Sequence, residues 1–395
     1  MEQVSPQFFS QFQDNFQQAF AEPLARVLDL DTWSSGQDMR DLFEHVQQEV
    51  DAALQNENQA QQTLRRSYLA KLQGRPGAPA SAGVYRASLE DIARIHRGLL
   101  FTGRVQACDG TSVTHDTLPL SITQIGVTLI AYNGDTGSWS QRLFRRDLRN
   151  FSGDIEEEVV RLLENRDRRK GIDVDDQDGL SLLARRAVLT FAERSILVDK
   201  ATAPWRLGHG SPISFELLTG GGVLTNDLLP ATISLYQRMM NLGRFIFVPS
   251  APRDRVLLTL ANALNPLEFA IVDSLESKLT SITDQGRYDN YWRPRVRQFA
   301  REIGSQIVLG LYRASRSAPA MVFYAHRDHA VEAAHIAIAD SLLQAHRGFP
   351  MLIDLADRCC QVNFGASDFS NVVRLAYANA DQPWQYLNER ETRKG

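Results

Sequence analysis

The sequence predicts a mixed α/β domain over residues 84–395. Segments of helical periodicity alternate there with short apolar segments of strand character, which is the pattern of helices packed on a sheet. The run 121–132 carries five aliphatic side chains and fits a central strand buried on both faces. The 395-residue chain is 43% hydrophobic and 23% charged, which is typical of a globular protein and excludes a disordered one.

Residues 1–73 form a predicted N-terminal helical arm, and residues 74–83 a predicted linker. The arm is rich in Gln, and five aromatic side chains fall on one broad helical face: Phe8, Phe9, Phe12, Phe16 and Phe20. A second helix begins near Met39. The segment 74–83 is composed largely of Gly, Pro and Ala, as linkers are. The arm packs against its own domain, or it docks onto a partner or a second subunit; the pattern allows both.

Within the domain, the elements follow from periodicity and turn residues. A short helix reaches residue 100, and Asn133-Gly134 closes the central strand. We predict strands at 105–108, 121–132, 244–248, 269–273, 307–312 and 320–324. We predict further helices at 154–169, 180–196, 230–242, 254–263, 291–303, 331–345 and 349–362. No internal repeat of solenoid length is present in the sequence.

The charge balance argues against a protein that binds nucleic acid over its whole surface. Forty-three basic and 47 acidic residues leave a net charge of −4. DNA binding would therefore be local or would depend on a partner. Three basic clusters could contact phosphates or could be solvated helix faces. They are Arg142, Arg145, Arg146 and Arg149; Arg161, Arg166, Arg168, Arg169 and Lys170; and Arg293, Arg295, Arg297 and Arg301.

Cysteine usage and hydropathy predict a soluble cytoplasmic protein that does not enter a membrane. The three cysteines, Cys108, Cys359 and Cys360, give neither an even disulfide framework nor a metal-type spacing. No segment approaches the roughly 20 apolar residues that a membrane-spanning helix needs.

Several chemistries lack their motifs. There is no Gly-x-x-x-x-Gly-Lys-Ser/Thr loop, and Gly220-Gly221-Gly222 has no lysine to hold phosphates, so the chain is not expected to be an ATPase. The absence of a Gly-x-Ser-x-Gly elbow argues against a covalent hydrolase. His326 and His329 stand three residues apart, a spacing more typical of a surface feature than of a zinc site.

The most informative residue is Asp109. The apolar run Val105-Gln106-Ala107-Cys108 leads into Asp109-Gly110-Thr111, which we interpret as a turn that presents a carboxylate to a metal. Taken alone, the Asp-Gly pair favours an ordinary turn between two strands. Metal-assisted phosphodiester cleavage needs two to four oxygen or imidazole ligands that converge at strand ends and on an adjoining helix. Candidate partners downstream are Glu193, Asp199, His209 and Glu216.

Three ordered blocks of sequence resemble the NurA nucleases. The first is Ala107-Cys108-Asp109-Gly110-Thr111 with the following strand 120–129, which is similar to the family's Asp-Gly-Ser turn and its Ile/Val-Gly strand. The second, 245–256, resembles a strand that ends in Ser-x-Pro before a helix. The third, 340–357, resembles the C-terminal Gly-Tyr-Pro and Ala-His signature. Together they extend over most of the chain from about 100 to 370.

This resemblance implies an RNase H-like nuclease domain with a mixed sheet flanked by helices. It also implies a homodimer that depends on Mn²⁺ or Mg²⁺. Such a homodimer would process DNA ends, in repair or defence, together with a HerA-type hexameric ATPase. Carried over by position, Asp109 matches the first metal-binding Asp and Glu193 the Glu on the helix. His209 falls where the family has an Asp. An alternative alignment places Asp199 there instead.

The C-terminal signature departs from the family at two positions. Phe349 stands where the family has a Tyr, and Asp357 stands where it has a His. The changes at His209 and Asp357 are reciprocal, and we interpret them as an exchange of ligand types within one site. The predicted catalytic set is therefore Asp109, Glu193, His209 and Asp357, the first three being metal ligands. The substitutions keep two other hypotheses open: a catalytically weakened adaptor that dimerises and docks the ATPase, and a structural helical-arm protein without metal affinity.

Overall fold

The structure is a computed structural model. It describes residues 16–20, 22–33, 36, 39–75, 78–117, 120–134, 136–145, 153–157, 159–160, 182–219, 225–252, 254–286 and 288–383. The chain forms two compact units, Met1–Ala60 and Gln61–Gly395. The predicted division into an arm, a linker at 74–83 and a nuclease domain stays a prediction. No helix in these ranges is long and apolar enough to cross a membrane.

The first unit is helical. It contains α1 (Leu24–Leu28), a 3-10 turn at Leu30–Thr32 and most of α2 (Met39–Ser67). The rings of Phe16 and Phe20 pack at a tilt of 40° with centroids 4.7 Å apart, as expected for side chains one helical turn apart. Phe8, Phe9 and Phe12 lie outside the described residues. The predicted helical character of this region is confirmed where it is described.

The second unit is built on one mixed sheet. In the described part of the chain the sheet has nine strands in the order β1-β7-β8-β9-β6-β5-β2-β3-β4. They are β1 (Gly83–Arg86), β2 (Val105–Asp116), β3 (Ser121–Ile130), β4 (Thr136–Arg145), β5 (Trp205–His209), β6 (Phe245–Val248), β7 (Glu268–Ser274), β8 (Ile307–Arg313) and β9 (Met321–His326).

One half of this sheet has RNase H-like topology. Strands β2, β3 and β4 form an antiparallel meander, and β5 then returns through a helix to lie parallel to β2. Strand β6 is parallel to β5. The other half, β9-β8-β7-β1, is antiparallel throughout and extends the sheet beyond β6. The predicted fold class, a mixed sheet flanked by helices, is confirmed by this strand order.

Helices cover both faces of the sheet. One face packs against α4 (Leu182–Asp199), α5 (Phe215–Thr219), α6 (Thr225–Leu242), α7 (Arg255–Asn262), α8 (Glu276–Gln285) and α9 (Trp292–Gly304). The other packs against α3 (Leu89–Ile95), α10 (Ala330–Leu342) and α11 (Met351–Phe364). The last helix, α12 (Ala366–Asn379), packs Phe369 and Val373 against Ile122. The core is thus two apolar layers separated by the sheet.

The segment just before the sheet is anchored in the second unit. Leu69 and Leu72, in a short helical segment after α2, are buried in the core beneath the α4 face. Arg65 binds Glu268 of β7 with two hydrogen bonds, at 2.7 and 2.9 Å. Burial disfavours the charged form of Glu268, but hydrogen bonds from Arg65 and Asn265, with the charge of Arg65, together lower its pKa.

The expected turn at Asp109-Gly110-Thr111 is wrong. Strand β2 runs without a break from Val105 to Asp116, with Asp109 opposite Thr128 and Gly110 opposite Val127 of β3. Gly110 is therefore not needed for a turn, and its role lies in the packing of α4 against the strand. A Cβ atom on Gly110 would lie 2.7 Å from Oε1 of Glu193 and 2.8 Å from a methyl of Leu189. The residue allows α4 to approach the strand closely, a role that glycine plays within strands.

Most of the other predicted elements are confirmed to within a few residues, but six elements of the second unit were not predicted: β1, β4, β5, α5, α8 and α12. Strand β5 is only five residues long and mixes Trp, Arg, Gly and His, so it has no apolar run to signal it. The strand predicted at 105–108 is the first third of β2. The predicted helix 154–169 falls largely outside the described residues, which are helical at 155–157 and 159–160.

Candidate active site

The site begins where β5 ends beside β2. The two strands are parallel, and Cys108 pairs with Gly208, so the next residues, Asp109 and His209, are neighbours. Nδ1 of His209 lies 3.3 Å from Oδ1 of Asp109. Strand β5 stops here while β2 continues for seven more residues, so β5 does not cover that part of the edge of β2. Side chains at such strand ends are the usual functional groups of open α/β sheets.

The second ring nitrogen of His209 is also engaged. Nε2 lies 2.8 Å from Oγ of Ser250, two residues past the end of β6. Phe349 packs its ring edge-on against the imidazole, with centroids 6.0 Å apart. In the sequence, Ser250 belongs to the Ser-x-Pro block, but it is not one of the predicted site residues. Its position directly after an apolar strand was the signal that could have identified it.

Glu193 approaches from the opposite face of the sheet. Successive residues of a strand point to opposite faces. Cys108 and Gly110 face α4, and the Cys108 thiol donates to the carbonyl of Glu193 at 3.5 Å. Asp109 shares its face with Ala107, which belongs to the core layer beneath α11. The Glu193 carboxylate reaches the strand only because Gly110 has no side chain.

An arginine holds Glu193 in place. Nη1 of Arg194 donates to Oε2 of Glu193 at 2.7 Å. Nη2 donates to the carbonyls of His209 and Ser211 at 2.8 and 2.9 Å, and the guanidinium lies 4.8 Å from the ring centroid of Phe247. Arg194 therefore ties α4 to the end of β5. Its side chain is only 5% exposed, so the ion pair with Glu193 compensates a buried charge.

Asp357 lies on α11, which packs against β2 and β3 on the Asp109 face. Gln361, one turn later, donates its amide to both carboxylate oxygens of Asp357 at 3.0 Å. The charges of Asp109 and His209 both act on Asp357. Asp357 is thus within electrostatic range of Asp109 and His209, while its predicted membership of one metal site with His209 stays a prediction.

The acidic groups influence one another electrostatically. Burial, followed by the negative charge of Asp109, raises the pKa of Glu193 to about 7 against the opposing effect of Arg194. Burial and Asp109 also raise the pKa of Asp357. Burial disfavours the charged form of His209, but the hydrogen bond and charge of Asp109, with a smaller effect of Glu193, raise its pKa. Asp109 therefore interacts electrostatically with each of the other three groups, Glu193, His209 and Asp357.

Other candidates from the sequence lie elsewhere. Asp199 is the last residue of α4 and is exposed, with an ion pair to Arg238 at 3.0 Å. The alignment that placed it in the site is therefore not supported by its position. Glu216 lies in the first turn of α5. His326 and His329 flank a 3-10 turn at the end of β9, with ring centroids 6.1 Å apart.

The basic clusters are described only in part. Arg142 donates to Gln124 across β4 and β3 at 2.9 Å. On α9, Arg297 pairs with Asp284 at 2.7 Å, and the guanidinium of Arg295 lies 3.6 Å from the ring centroid of Tyr291. The second cluster, between 161 and 170, lies outside the described residues.

The donor types of this group suit a divalent cation. Carboxylates bind Mg²⁺ and Mn²⁺, and imidazole binds first-row transition metals. Among the described residues, no three His, Cys, Asp or Glu side chains are arranged so that they could hold a metal ion as they stand. Asp109 and His209 contact each other directly instead. A cation between them would have to replace that contact.

Comparisons with known proteins return the family that the sequence motifs resemble, at low similarity. No family model and no curated protein matches the chain. A crystal structure of the NurA nuclease from Sulfolobus solfataricus is 12% identical, with a TM-score of 0.42, covering 88% of this chain and 100% of the other. A structure of NurA bound to dAMP and manganese is 8% identical, with a TM-score of 0.39, covering 81% and 93%. At such TM-scores, the fold class rests on the strand order.

Proposed function

We propose that the protein is a metal-dependent DNA nuclease of the NurA type that hydrolyses phosphodiester bonds. The observation that carries the proposal is the meeting of Asp109 and His209 where β5 ends beside β2, next to the carboxylates of Asp357 and Glu193. A largely buried group of like charges destabilises itself unless a cation neutralises it. The His209 side chain is 33% exposed, which would give a phosphodiester access to that cation.

Each residue has a distinct role in this proposal. Asp109 and His209 hold the ion from one face of the sheet, and Asp357 completes or flanks the site. Glu193 contributes from the other face, since Arg194 binds its Oε2 while Oε1 lies beside Gly110. A bound Mn²⁺ or Mg²⁺ would lower the pKa of a water molecule and stabilise the leaving oxygen. An imidazole in the donor set favours Mn²⁺ over Mg²⁺.

The reciprocal substitutions are part of the proposal. His209 supplies a neutral ligand in place of a carboxylate, which compensates less of the metal's charge. Asp357, which acts electrostatically on both Asp109 and His209, restores the missing negative charge. We propose that the net charge of the site is conserved by this exchange.

The partners follow from charge and from the sequence motifs. The net charge of −4 gives the chain no general attraction to DNA. We therefore include in the proposal a HerA-type hexameric ATPase that delivers DNA ends to a homodimer of this protein. We also propose a cytoplasmic location, because the reducing conditions there are consistent with the three free cysteines.

The test is cleavage of linear DNA by the purified full chain. We expect Mn²⁺-dependent degradation that Asp109→Ala abolishes. Asp199→Asn is the matched control, because Asp199 is a carboxylate on the same chain that the structure places on the surface. The proposal fails if no divalent ion supports cleavage, with or without the ATPase, or if Asp109→Ala cleaves as fast as Asp199→Asn.

A catalytically weakened adaptor is the second candidate, and one observation favours it. The polar side chains of the site already have hydrogen-bond partners within the protein: Asp109 binds His209, His209 binds Ser250, and Glu193 binds Arg194. An adaptor of this kind would dimerise and dock the ATPase without binding metal. Capture of the ATPase by the Asp109→Ala variant, together with the absence of Mn²⁺ binding by the unmodified chain, would establish it.

A further inference from the structure

The side chain of Ser250 contacts His209, and Ser250 is not among the site residues predicted from the sequence motifs. Its hydroxyl lies 2.8 Å from Nε2, and Asp109 lies 3.3 Å from Nδ1, so both ring nitrogens are bound. Phe349 packs edge-on against the same ring. The imidazole therefore has one orientation, in which Nδ1 faces the acidic group.

We propose that Ser250 is a positioning residue that holds His209 through Nε2 and thereby directs Nδ1 to the metal ligand Asp109. The inference rests on the function proposed above, and it adds a residue that the sequence motifs do not assign. Imidazoles that bind metal generally donate their second N–H to a fixed acceptor, which sets the tautomer and the ring orientation. A serine hydroxyl can be that acceptor.

A hydroxyl is suited to this place because it can both donate and accept. Without metal, the Asp109 carboxylate accepts from Nδ1–H, and a neutral imidazole then accepts at Nε2 from Ser250. If His209 held a metal through Nδ1, its proton would be on Nε2 and would be donated to the same oxygen. The one contact therefore persists through the exchange of tautomers. An alanine at position 250 would lose it in both states.

The site of Ser250 on the chain supports the assignment. Pro249 and Pro252 flank it, and each restricts the backbone of its neighbourhood. The next helix, α7, is capped by Asp254, whose carboxylate accepts from the backbone N–H of Leu257 at 3.1 Å. The residue therefore lies on a short segment fixed at both ends by β6 and α7. Such a segment holds a side chain in a fixed position relative to β5.

The first experiment measures binding of Mn²⁺ alone to the full chain by electron paramagnetic resonance of the free ion. We expect Ser250→Ala to weaken binding roughly 10- to 100-fold, as losses of such outer contacts do, and Ser250→Thr to restore it. Ser277→Ala, an exposed serine on α8, is the control and should bind as the unmodified chain does. Equal affinities of Ser250→Ala and Ser277→Ala would overturn the proposal.

A second measurement is independent of the metal. In metal-free protein with ¹⁵N-labelled histidine, we expect Ser250→Ala to shift the Nε2 resonance of His209 and Ser250→Thr to leave it in place. A His209→Asn variant assigns the resonance. If the unmodified chain binds no Mn²⁺, the proposed function fails, while the nitrogen shift still decides the role of Ser250. An Nε2 resonance that is unchanged in Ser250→Ala refutes that role.

Discussion

Asp340 and Asp109 are buried carboxylates on the same face of the sheet, but they differ in their hydrogen-bond partners and in the charges near them. Asp340, on α10, is fully buried, and both of its oxygens have a donor: the Tyr132 hydroxyl at 2.5 Å and the backbone N–H of Leu352 at 3.0 Å. Asp109 shares one oxygen between the backbone N–H of Gly110 and His209, and it interacts electrostatically with two other carboxylates. The first environment is complete within the protein, whereas we propose that a cation completes the second.

The difference separates a residue that stabilises the fold from residues that we propose act on a substrate. Asp340 joins three segments, the end of β3, α10 and the start of α11, and nearby Tyr312 bonds to Ser341 and to the carbonyl of Gly348. It belongs to the third block of the NurA resemblance, but its contacts are structural. A strongly shifted carboxyl is therefore not by itself a sign of a site.

The largest effect on stability is expected at Asp340. Asp340→Ala leaves the Tyr132 hydroxyl and the Leu352 N–H without a partner in the core, and we expect the free energy of unfolding to fall by about 4 kcal/mol. Denaturation with urea measures it. In contrast, Asp109→Asn should change the free energy of unfolding by less than about 1 kcal/mol, since it removes a like charge. Equal losses from both variants would erase the distinction between the two regions.

The pH dependence at Asp340 is the next largest effect. Burial raises the pKa of Asp340 from its ordinary 3.8 to about 6, against hydrogen bonds from Tyr132 and Leu352. The folded protein therefore keeps a proton that the unfolded chain has lost. The resulting stability is full below pH 4 and is lost as the pH rises through 6, a change of about 3 kcal/mol.

Unfolding at pH 4 and pH 7.5, compared between the unmodified chain and Asp340→Asn, isolates this contribution. The amide cannot ionise, so the stability of the unmodified chain relative to the variant should decrease with pH. A difference that grows with pH would contradict the assignment.

A smaller effect is expected where α4 approaches β2. Gly110→Ala places a methyl group 2.7 Å from Oε1 of Glu193 and 2.8 Å from a Leu189 methyl. These two side chains must shift, which should cost about 1 to 2 kcal/mol. Gly98→Ala is the control, since a Cβ there meets no atom within 4 Å. If both variants have the same stability, Glu193 does not lie against the strand.

The smallest effect is electrostatic. The charge of Asp109 contributes to the raised pKa of Glu193, so Asp109→Asn should lower the pKa of Glu193 by roughly one pH unit. Carbon NMR of labelled glutamate follows the titration. An unchanged pKa would mean that burial and Arg194 alone determine it and that the two carboxylates are independent.

The sequence was sufficient to predict the fold class because helical and strand periods are local properties of the chain. Helices such as α10, whose small apolar side chains are buried, were predicted within a few residues. Strand β5 was not, because its place is set by pairing with β2 and β6 and not by its own five residues. The Asp109-Gly110 pair was assigned to a turn because its true partner, Glu193, is 83 positions away and visible only once α4 is packed.

The same limit applies to the site. Asp109 and His209 were chosen by residue type and order, and the structure brings them into contact. Ser250 and Arg194 were not chosen, because serine and arginine carry no distinctive spacing and their roles arise from contacts across strand ends. Glu193 reaches β2 from the face opposite Asp109, because successive residues of a strand point to opposite faces. The sequence did not indicate this, since it did not show that the strand continues past Asp109.

The most direct test of the central claim, that Asp109 and His209 form a divalent metal site, is a titration of the full chain with Mn²⁺ alone by electron paramagnetic resonance. We expect saturable binding in which electron spin echo modulation detects an imidazole nitrogen, and we expect both to disappear in Asp109→Ala but to persist in Asp199→Asn. Mn²⁺ binding that is absent from the unmodified chain, or equal in Asp109→Ala and Asp199→Asn, would contradict the claim.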